Sequence, residues 1–423
     1  MRWVLISWVF ILGAVAYLDR VNISVAGSSI AAEYGLSNIQ LGYVFSSFLI
    51  GYAIFQTPCG RLADRFGPRR VIALAVVWWG IFTVLTACVP IEIGRPLLLF
   101  IPIRFLLGAG EAIIYPASNH FVANWIPTTE RGLANGLIFA GVGAGAGLAP
   151  PLVTYIMIHH GWRASFWMSA AIGLAAGAVW FMVARDTPEE HPRVAASELV
   201  RIKAGITFKQ EDRSESEQLP WGRILRSKEV LATTLSYFTY GYVAWIFFAW
   251  FFTYLAKVRG LNLKSSAEFA MLPFLAMSGG STLGGFISDR LTRRFNKRLG
   301  RCVFAFAAML LAAAFLATGS QAKSAALASV VLAGGAGALY LSQSAYWSIT
   351  ADISGNSSGS VSGLMNMGGQ IGGAVTASLT PAIAAAYGWT ASFLVAAALC
   401  SLGGLAWLLV NPERSLILEV RKG

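Results

Sequence analysis

Apolar runs of helix length recur along this chain, separated by short polar segments. They fall near 3–27, 40–60, 71–90, 97–119, 132–157, 163–184, 230–256, 268–288, 300–319, 323–349, 359–384 and 389–410. Each is close to the roughly 20 residues that a helix needs to cross a hydrocarbon core of about 30 Å. The pattern predicts an all-α membrane protein with twelve transmembrane helices. The longest polar segment, Arg185 to Glu229, contains "RDTPEEHPRVAASELVRIKAG" and "KQEDRSESEQ" and divides the spans six and six. We therefore expect an N-terminal six-helix bundle over 1–184, a cytoplasmic linker over 185–229 and a C-terminal six-helix bundle over 230–423. Arg2 and the apolar run after it imitate a secretory signal. The run continues past Asp19 and Arg20 without a small-residue cleavage site, so it reads as an uncleaved first span.

Composition agrees with the spans. Hydrophobic residues make up 56% of the 423 and charged residues 12%, against about 25% charged in soluble domains. The net charge of +12 could point to nucleic acid, but its distribution is topological. Arg20 and Arg104 lie inside spans, and Arg95, Arg163, Lys257, Arg259, Lys264 and Lys323 occupy one face. Every other Lys and Arg falls on the opposite face, which the positive-inside rule makes cytoplasmic. An even number of spans then puts both termini in the cytoplasm, and no nucleic-acid partner is expected. Cys59, Cys88, Cys302 and Cys400 are scattered in or beside apolar segments. They form no CxxC or Cys/His cluster, so neither a disulfide framework nor a metal site is expected.

The two halves echo each other. "GRLADR" from Gly60 is matched by "GGFISDR", which carries Gly285, Asp289 and Arg290. "GLANGL" from Gly132 pairs with "GSVSGL" from Gly359, and "GWRASF" from Gly161 with "GWTASF" from Gly388, at one common interval. Parallel six-helix repeats of this kind are a transporter architecture with substrate bound near the bilayer midplane.

Four ionisable residues lie deep within predicted spans: Asp19, Arg20, Arg104 and Glu111. Each costs about 2.5–3.5 kcal/mol on insertion scales, so each needs a use. Arg104 and Glu111 are two helical turns apart and share a face, whereas Asp19 and Arg20 diverge by about 100° around their helix. Asp19 and Arg20 should therefore find partners on the fourth helix rather than in each other. Burial and a neighbouring guanidinium push a carboxyl group's proton affinity in opposite directions. An anionic substrate that takes the guanidinium bidentately would thus couple its own binding to protonation. Polar side chains suited to a hydroxylated substrate accompany them: Tyr17, Tyr52, Gln56, Tyr115 and Asn119 in the first half. Tyr240, Tyr242, Gln343, Ser344, Asn366 and Gln370 follow in the second.

"GRLADRFGPRR" at 60–70 and the whole-chain pattern resemble the major facilitator superfamily. Within it the chain resembles the anion:cation symporters, which include bacterial hexonate, hexuronate and hexarate carriers and animal sialic-acid and glutamate carriers. "YLDRVNIS" and "RFLLGAGEAIIYP" carry this resemblance, supported by "WIPTTERGLANG" and "DTPEEHPRV". It implies a multi-pass, monomeric transporter of the bacterial inner membrane. It would carry a small anion with protons, or with sodium as the other coupling ion, and use no cofactor. It also implies that Arg20 anchors the substrate carboxylate, that Asp19 and Glu111 couple protons and that Arg104 tunes Glu111. Tyr17, Tyr52 and Asn366 match positions that the sugar-acid carriers use. Gly60, Asp64, Arg65, Asp289 and Arg290 would form a conformational latch.

Only one cationic anchor is evident on this reading. That suits a monoanion whose far end is held through hydroxyls, although Arg104 could serve a second carboxylate. The alternative is a drug or metabolite antiporter, but a cation exporter would show acids without an arginine anchor. No nucleophile–base pair or metal cluster suggests an enzyme. "GVGAGAGLAPP" at 141–151 lies inside a span and reads as helix packing rather than a nucleotide loop.

Overall fold

The structure is a computed structural model that describes residues 1–92, 94–127, 131–207, 220–354 and 358–414. The described residues form helices joined by turns and loops, with no strand among them. Among the described residues, eleven helices are long and apolar enough to cross a membrane. The twelfth expected span, 359–384, lies within the helix Ser358–Tyr387. Its run of Gly, Ser, Thr, Asn and Gln keeps it out of that set.

The described chain forms two compact units. The first comprises Met1–Gly35 and Ser47–Glu215, the second Leu36–Ser46 and Ser216–Gly423. The first holds α1 (Arg2–Tyr34), most of α2 (Asn38–Phe66), α3 (Pro68–Ala87), α4 (Leu97–Glu111), α5 (Ile114–Trp125), α6 (Arg131–His160), α7 (Trp162–Val183) and α8 (Ala196–Thr207). The second holds α9 (Trp221–Ile224), α10 (Lys228–Ala249), α11 (Phe251–Thr253), α12 (Leu263–Ala270) and α13 (Leu272–Arg294). It continues with α14 (Phe304–Gln321), α15 (Ala325–Leu341), α16 (Gln343–Ser354), α17 (Ser358–Tyr387) and α18 (Trp389–Ala406).

The packing repeats with the sequence. In the first unit α1 packs on α6 and α3 on α7; in the second, α10 packs on α17 and α14 on α18. Gly161 and Gly388, which open the two "GW" motifs, have φ of 79° and 84° and start α7 and α18. Only glycine adopts that conformation without strain. The expected fourth and tenth spans are each two helices. The first breaks at Ala112–Ile113, immediately after Glu111, and the second at Ser342.

The "GVGAGAGLAPP" segment packs as expected: side chains at Gly141 and Gly145 would collide with the backbone of α1. The linker is not a bare tether. Asp186 accepts from the Arg69 backbone N–H at the start of α3 (2.8 Å), and Trp125 Nε1 donates to Arg185 O (3.0 Å). Burial holds the His191 imidazole below its ordinary range. The neutral ring accepts from Arg193 N at Nδ1 and donates from Nε2 to Val183 O. The linker also forms α8, whose Glu198 pairs with Arg2 (3.6 Å).

Candidate functional site

The first unit gathers all four intramembrane charges. Asp19, Arg20, Arg104 and Glu111 are 3%, 4%, 2% and 0% exposed, so none is solvated by bulk water. Glycines let α2 and α4 approach closely enough to build the site: a Cβ on Gly51 would strike the Phe105 carbonyl, and one on Gly108 the Phe48 carbonyl. This contact brings Phe48 and Tyr52 of α2 beside Arg104 and Glu111 of α4.

Arg20 Nε donates to Glu111 Oε2 at 2.7 Å. The Arg20 guanidinium also lies over three rings: Tyr17 at 4.5 Å, Tyr52 at 4.7 Å and Phe48 at 5.4 Å from their centroids. Aromatic faces attract a guanidinium more strongly when both are desolvated. Even so, Arg20 Nη2 and Glu111 Oε1 are buried without a hydrogen-bond partner among the described residues. The pair keeps one donor and one acceptor unused.

Asp19 is held elsewhere. Its Oδ2 accepts from Thr83 Oγ1 of α3 at 2.5 Å, and its Oδ1 has no partner. The expected partnership with the fourth helix therefore holds for Arg20 and fails for Asp19. The rotation of about 100° between neighbouring positions turns Asp19 toward α3. Arg104 does not bond Glu111 either. Its guanidinium rests 5.0 Å from the Phe48 ring, and its Nε is buried without a partner.

Two other expected polar groups lie in the same unit with unused atoms. Tyr115, directly after the break that follows Glu111, stacks on Phe139 at 5.2 Å and 6°, and its hydroxyl is unpartnered. Gln56 Oε1 is likewise buried and unpartnered. Asn119 lies outside the residues whose side chains are described. In the second unit Asn366 and Gln370 are half-buried on α17, with Gln370 Oε1 unpartnered. Gln343 Nε2 donates to Tyr237 OH (3.4 Å), and Tyr237 stacks on Tyr240 at 5.0 Å and 4°.

The expected latch divides in the same way. Gly60 and Asp64 fall outside the side chains described, and Arg65 is exposed. Asp289 pairs with Arg301 at 2.8 Å rather than with its neighbour Arg290, which is exposed. Arg301 Nη1 also donates to Ser288 Oγ (2.7 Å).

Sequence reasoning missed Thr83, Phe48 and Phe139. A lone threonine in an apolar span carries no signal, because it can satisfy itself on its own helix. Thr86 does so, donating to Phe82 O at 2.8 Å. Among the described residues no group of three or more His, Cys, Asp or Glu could hold a metal ion.

The model of the Major Facilitator Superfamily matches residues 9–377. This chain belongs to that superfamily. It is 33% identical over 400 residues to a probable sulfoacetate transporter of Cupriavidus necator, covering 94% of this chain and 91% of the relative. It is 32% identical to the hexuronate transporter of Bacillus subtilis, with 82% and 79% covered. A probable galactarate/D-glucarate transporter of the same organism is 30% identical, with 69% and 66% covered. Among solved structures, a D-xylose–proton symporter superposes with a TM-score of 0.77 at 16% identity, covering 98% of this chain and 99% of that one. That similarity concerns the fold alone. The superfamily member described here is a multi-pass membrane transporter of the anion-carrying branch, not an enzyme.

Proposed function

We propose that this protein is a proton-coupled symporter of an organic anion, with sugar acids as the substrate class, working by alternating access in the bacterial inner membrane. Its relatives include carriers named for hexuronate and for galactarate or D-glucarate, which supports that class. The observation that carries the reading is the Arg20–Glu111 pair, 2.7 Å apart, at 2% and 0% side-chain exposure, with Arg20 Nη2 and Glu111 Oε1 still unpartnered.

A buried pair of this kind contributes little net stability, because desolvation offsets its attraction. Its value lies in being exchangeable. A substrate carboxylate that takes the Arg20 guanidinium releases Glu111, which then needs a proton to remain in a low-dielectric span. Asp19, held by Thr83 rather than by an arginine, is the second proton carrier. Tyr17, Tyr52, Gln56, Tyr115, Asn119, Asn366 and Gln370 are the residues assigned to substrate hydroxyls on this reading. The cytoplasmic termini, the six-plus-six division into 1–184 and 230–423, the latch and a monomeric state belong to the same proposal. So does the proton, rather than sodium, as coupling ion.

The test is ligand-induced thermal stabilisation of purified protein by hexonates, hexuronates and hexarates at about pH 5.5 and about 7.5, with and without sodium. Stabilisation by a sugar acid that depends on pH, ignores sodium and disappears in Arg20→Ala supports the reading. Silence toward every acid, with a response to lipophilic cations, replaces it with export of cations.

A further inference from the structure

The start of α10, the end that the positive-inside rule assigns to the cytoplasm, borders a cavity that the proposed symport does not use. The cavity has a volume of about 580 Å³, and Arg223, Arg226, Ser227, Lys228, Glu229 and Arg414 line it. Four of these side chains are cationic and one is acidic. The acid is already engaged. Glu229 is 0% exposed. Its Oε1 lies 3.1 Å from Arg414 Nη1, and its Oε2 accepts from Ser227 Oγ at 3.1 Å. Arg223, Arg226 and Lys228 are left with no acid of the described lining to offset them. Arg226 and Lys228 are exposed, whereas Arg223 is half-buried. Arg223 Nη1 is buried without a hydrogen-bond partner among the described residues, and a buried donor without an acceptor is costly. Ser227 also caps α10, so the positive end of that helix meets the same space.

The surface beside the cavity is apolar. Lys228, Leu231 and Leu235 follow one face of α10 at spacings of three and four, and both leucines are exposed. Trp221 and Leu225, at the two ends of α9, are exposed as well. A tryptophan at the end of a span suits the level of the headgroups. A soluble anion would use the charge and leave this face idle, whereas a phospholipid uses both. Guanidiniums present paired N–H donors that match phosphate oxygens. We propose that the cavity binds the phosphate of an anionic phospholipid, held by Arg223, Arg226 and Lys228, with its acyl chains along Leu231 and Leu235. The lipid braces the junction at which the linker enters the second unit and Arg414 returns to Glu229.

The experiment follows thermal stabilisation of the full-length purified protein in detergent as lipid is titrated in. Dioleoylphosphatidylglycerol and dioleoylphosphatidylcholine carry the same chains and differ in net headgroup charge. The first should act at a concentration at least about tenfold below the second, the scale of one or two basic side chains at a membrane surface. Arg223→Gln combined with Arg226→Gln should remove most of that preference. Arg293→Gln combined with Arg294→Gln, an exposed basic pair at the end of α13, should leave it within about twofold. Inorganic phosphate and glycerol 3-phosphate lack acyl chains, and should neither stabilise the protein nor shift the lipid titration at the concentrations where the lipid acts. If the double variant fails to fold, Arg226→Gln alone, at an exposed side chain, should cost about threefold. An unchanged preference in either cavity variant overturns the proposal. So does equal action of the two lipids, or an equal loss of preference in the α13 pair. Stabilisation by the soluble phosphates that disappears in the cavity variants gives the site to a soluble phosphate and overturns the lipid. None of these outcomes depends on which substrate is carried or on Arg20.

Discussion

The first span of each unit makes the sharpest contrast in the molecule. α1 carries Asp19 and Arg20 at mid-length, both buried, one on Thr83 and the other on Glu111. α10 carries no acid or base after Glu229. Its later polar groups are neutral; some are satisfied nearby, whereas Thr234 Oγ1, Tyr240 OH and Tyr242 OH are buried without a hydrogen-bond partner among the described residues. Ser236 Oγ lies 2.6 Å from Tyr346 OH and donates to Gly403 O at 2.7 Å. Tyr237 stacks on Tyr240 and meets Tyr346 edge-on at 4.8 Å. The same helix-packing plan and the same "GW" starts recur in both units, but the mid-span charge has been placed in one; the buried Glu229 of the second sits at the start of α10 and pairs with Arg414 at 3.1 Å. Ionised groups are expensive in hydrocarbon, so concentrating the mid-span ones in one unit leaves the middle of α10 neutral and aromatic. On the proposed function, the first unit exchanges protons and anions and the second hydrogen-bonds uncharged groups.

The contrast breaks most severely at Arg20. Arg20→Ala should weaken acid binding by about a hundredfold or more, since it removes the anchor and leaves Glu111 buried and unpaired. Retention of wild-type affinity, measured by thermal shift or competition, would end the assignment. Glu111→Gln comes next. Uphill uptake into proteoliposomes should be lost while counterflow exchange persists; concentration of substrate against a gradient would move coupling to another acid. Asp19→Asn should separate the same two activities.

Thr83→Val should have a smaller effect. It deletes a hydrogen bond to a carboxyl group, on the scale of about tenfold, and should appear in uphill uptake rather than in exchange. Thr83→Ser should behave as wild type. Equal loss of uptake and exchange in the valine variant, rescued by neither serine nor lower pH, would reduce Thr83 to packing. Smallest should be Tyr240→Phe in the neutral unit. Removing one hydroxyl from a site without charges should change affinity by no more than about tenfold and leave the pH profile of uptake alone. A shift in that profile would show that the second unit also handles protons.

The fold was largely legible before any coordinates, because hydrocarbon demands long apolar helices and the chain spells them out. Legibility ended where polarity and span length separate. α17 is helical as expected, yet its small polar residues leave it short of the hydropathy of the other eleven. The candidate site was legible in its charges, since Asp19, Arg20, Arg104 and Glu111 stand out against apolar surroundings. Their partnerships were not. Helix periodicity relates residues along one helix, as it does Arg104 and Glu111, but the bonds formed run between α1 and α4 and between α1 and α3. Thr83 was invisible because a threonine hydroxyl can be satisfied within its own helix.

The sequence by itself determined that this chain lives in a membrane, that its halves echo each other and that its ionisable groups deep within spans gather in the first half. Those properties follow from transfer energies and repeated motifs, which are local to the chain. Only the tertiary structure decided that Glu111 bonds Arg20, that Asp19 is held by Thr83 and that the Arg104 guanidinium lies over the Phe48 ring. Those pairings depend on how closely α2 approaches α4 and on which way each face of α1 turns. Side chains distant in sequence meet according to helix packing, and a linear pattern carries no record of it.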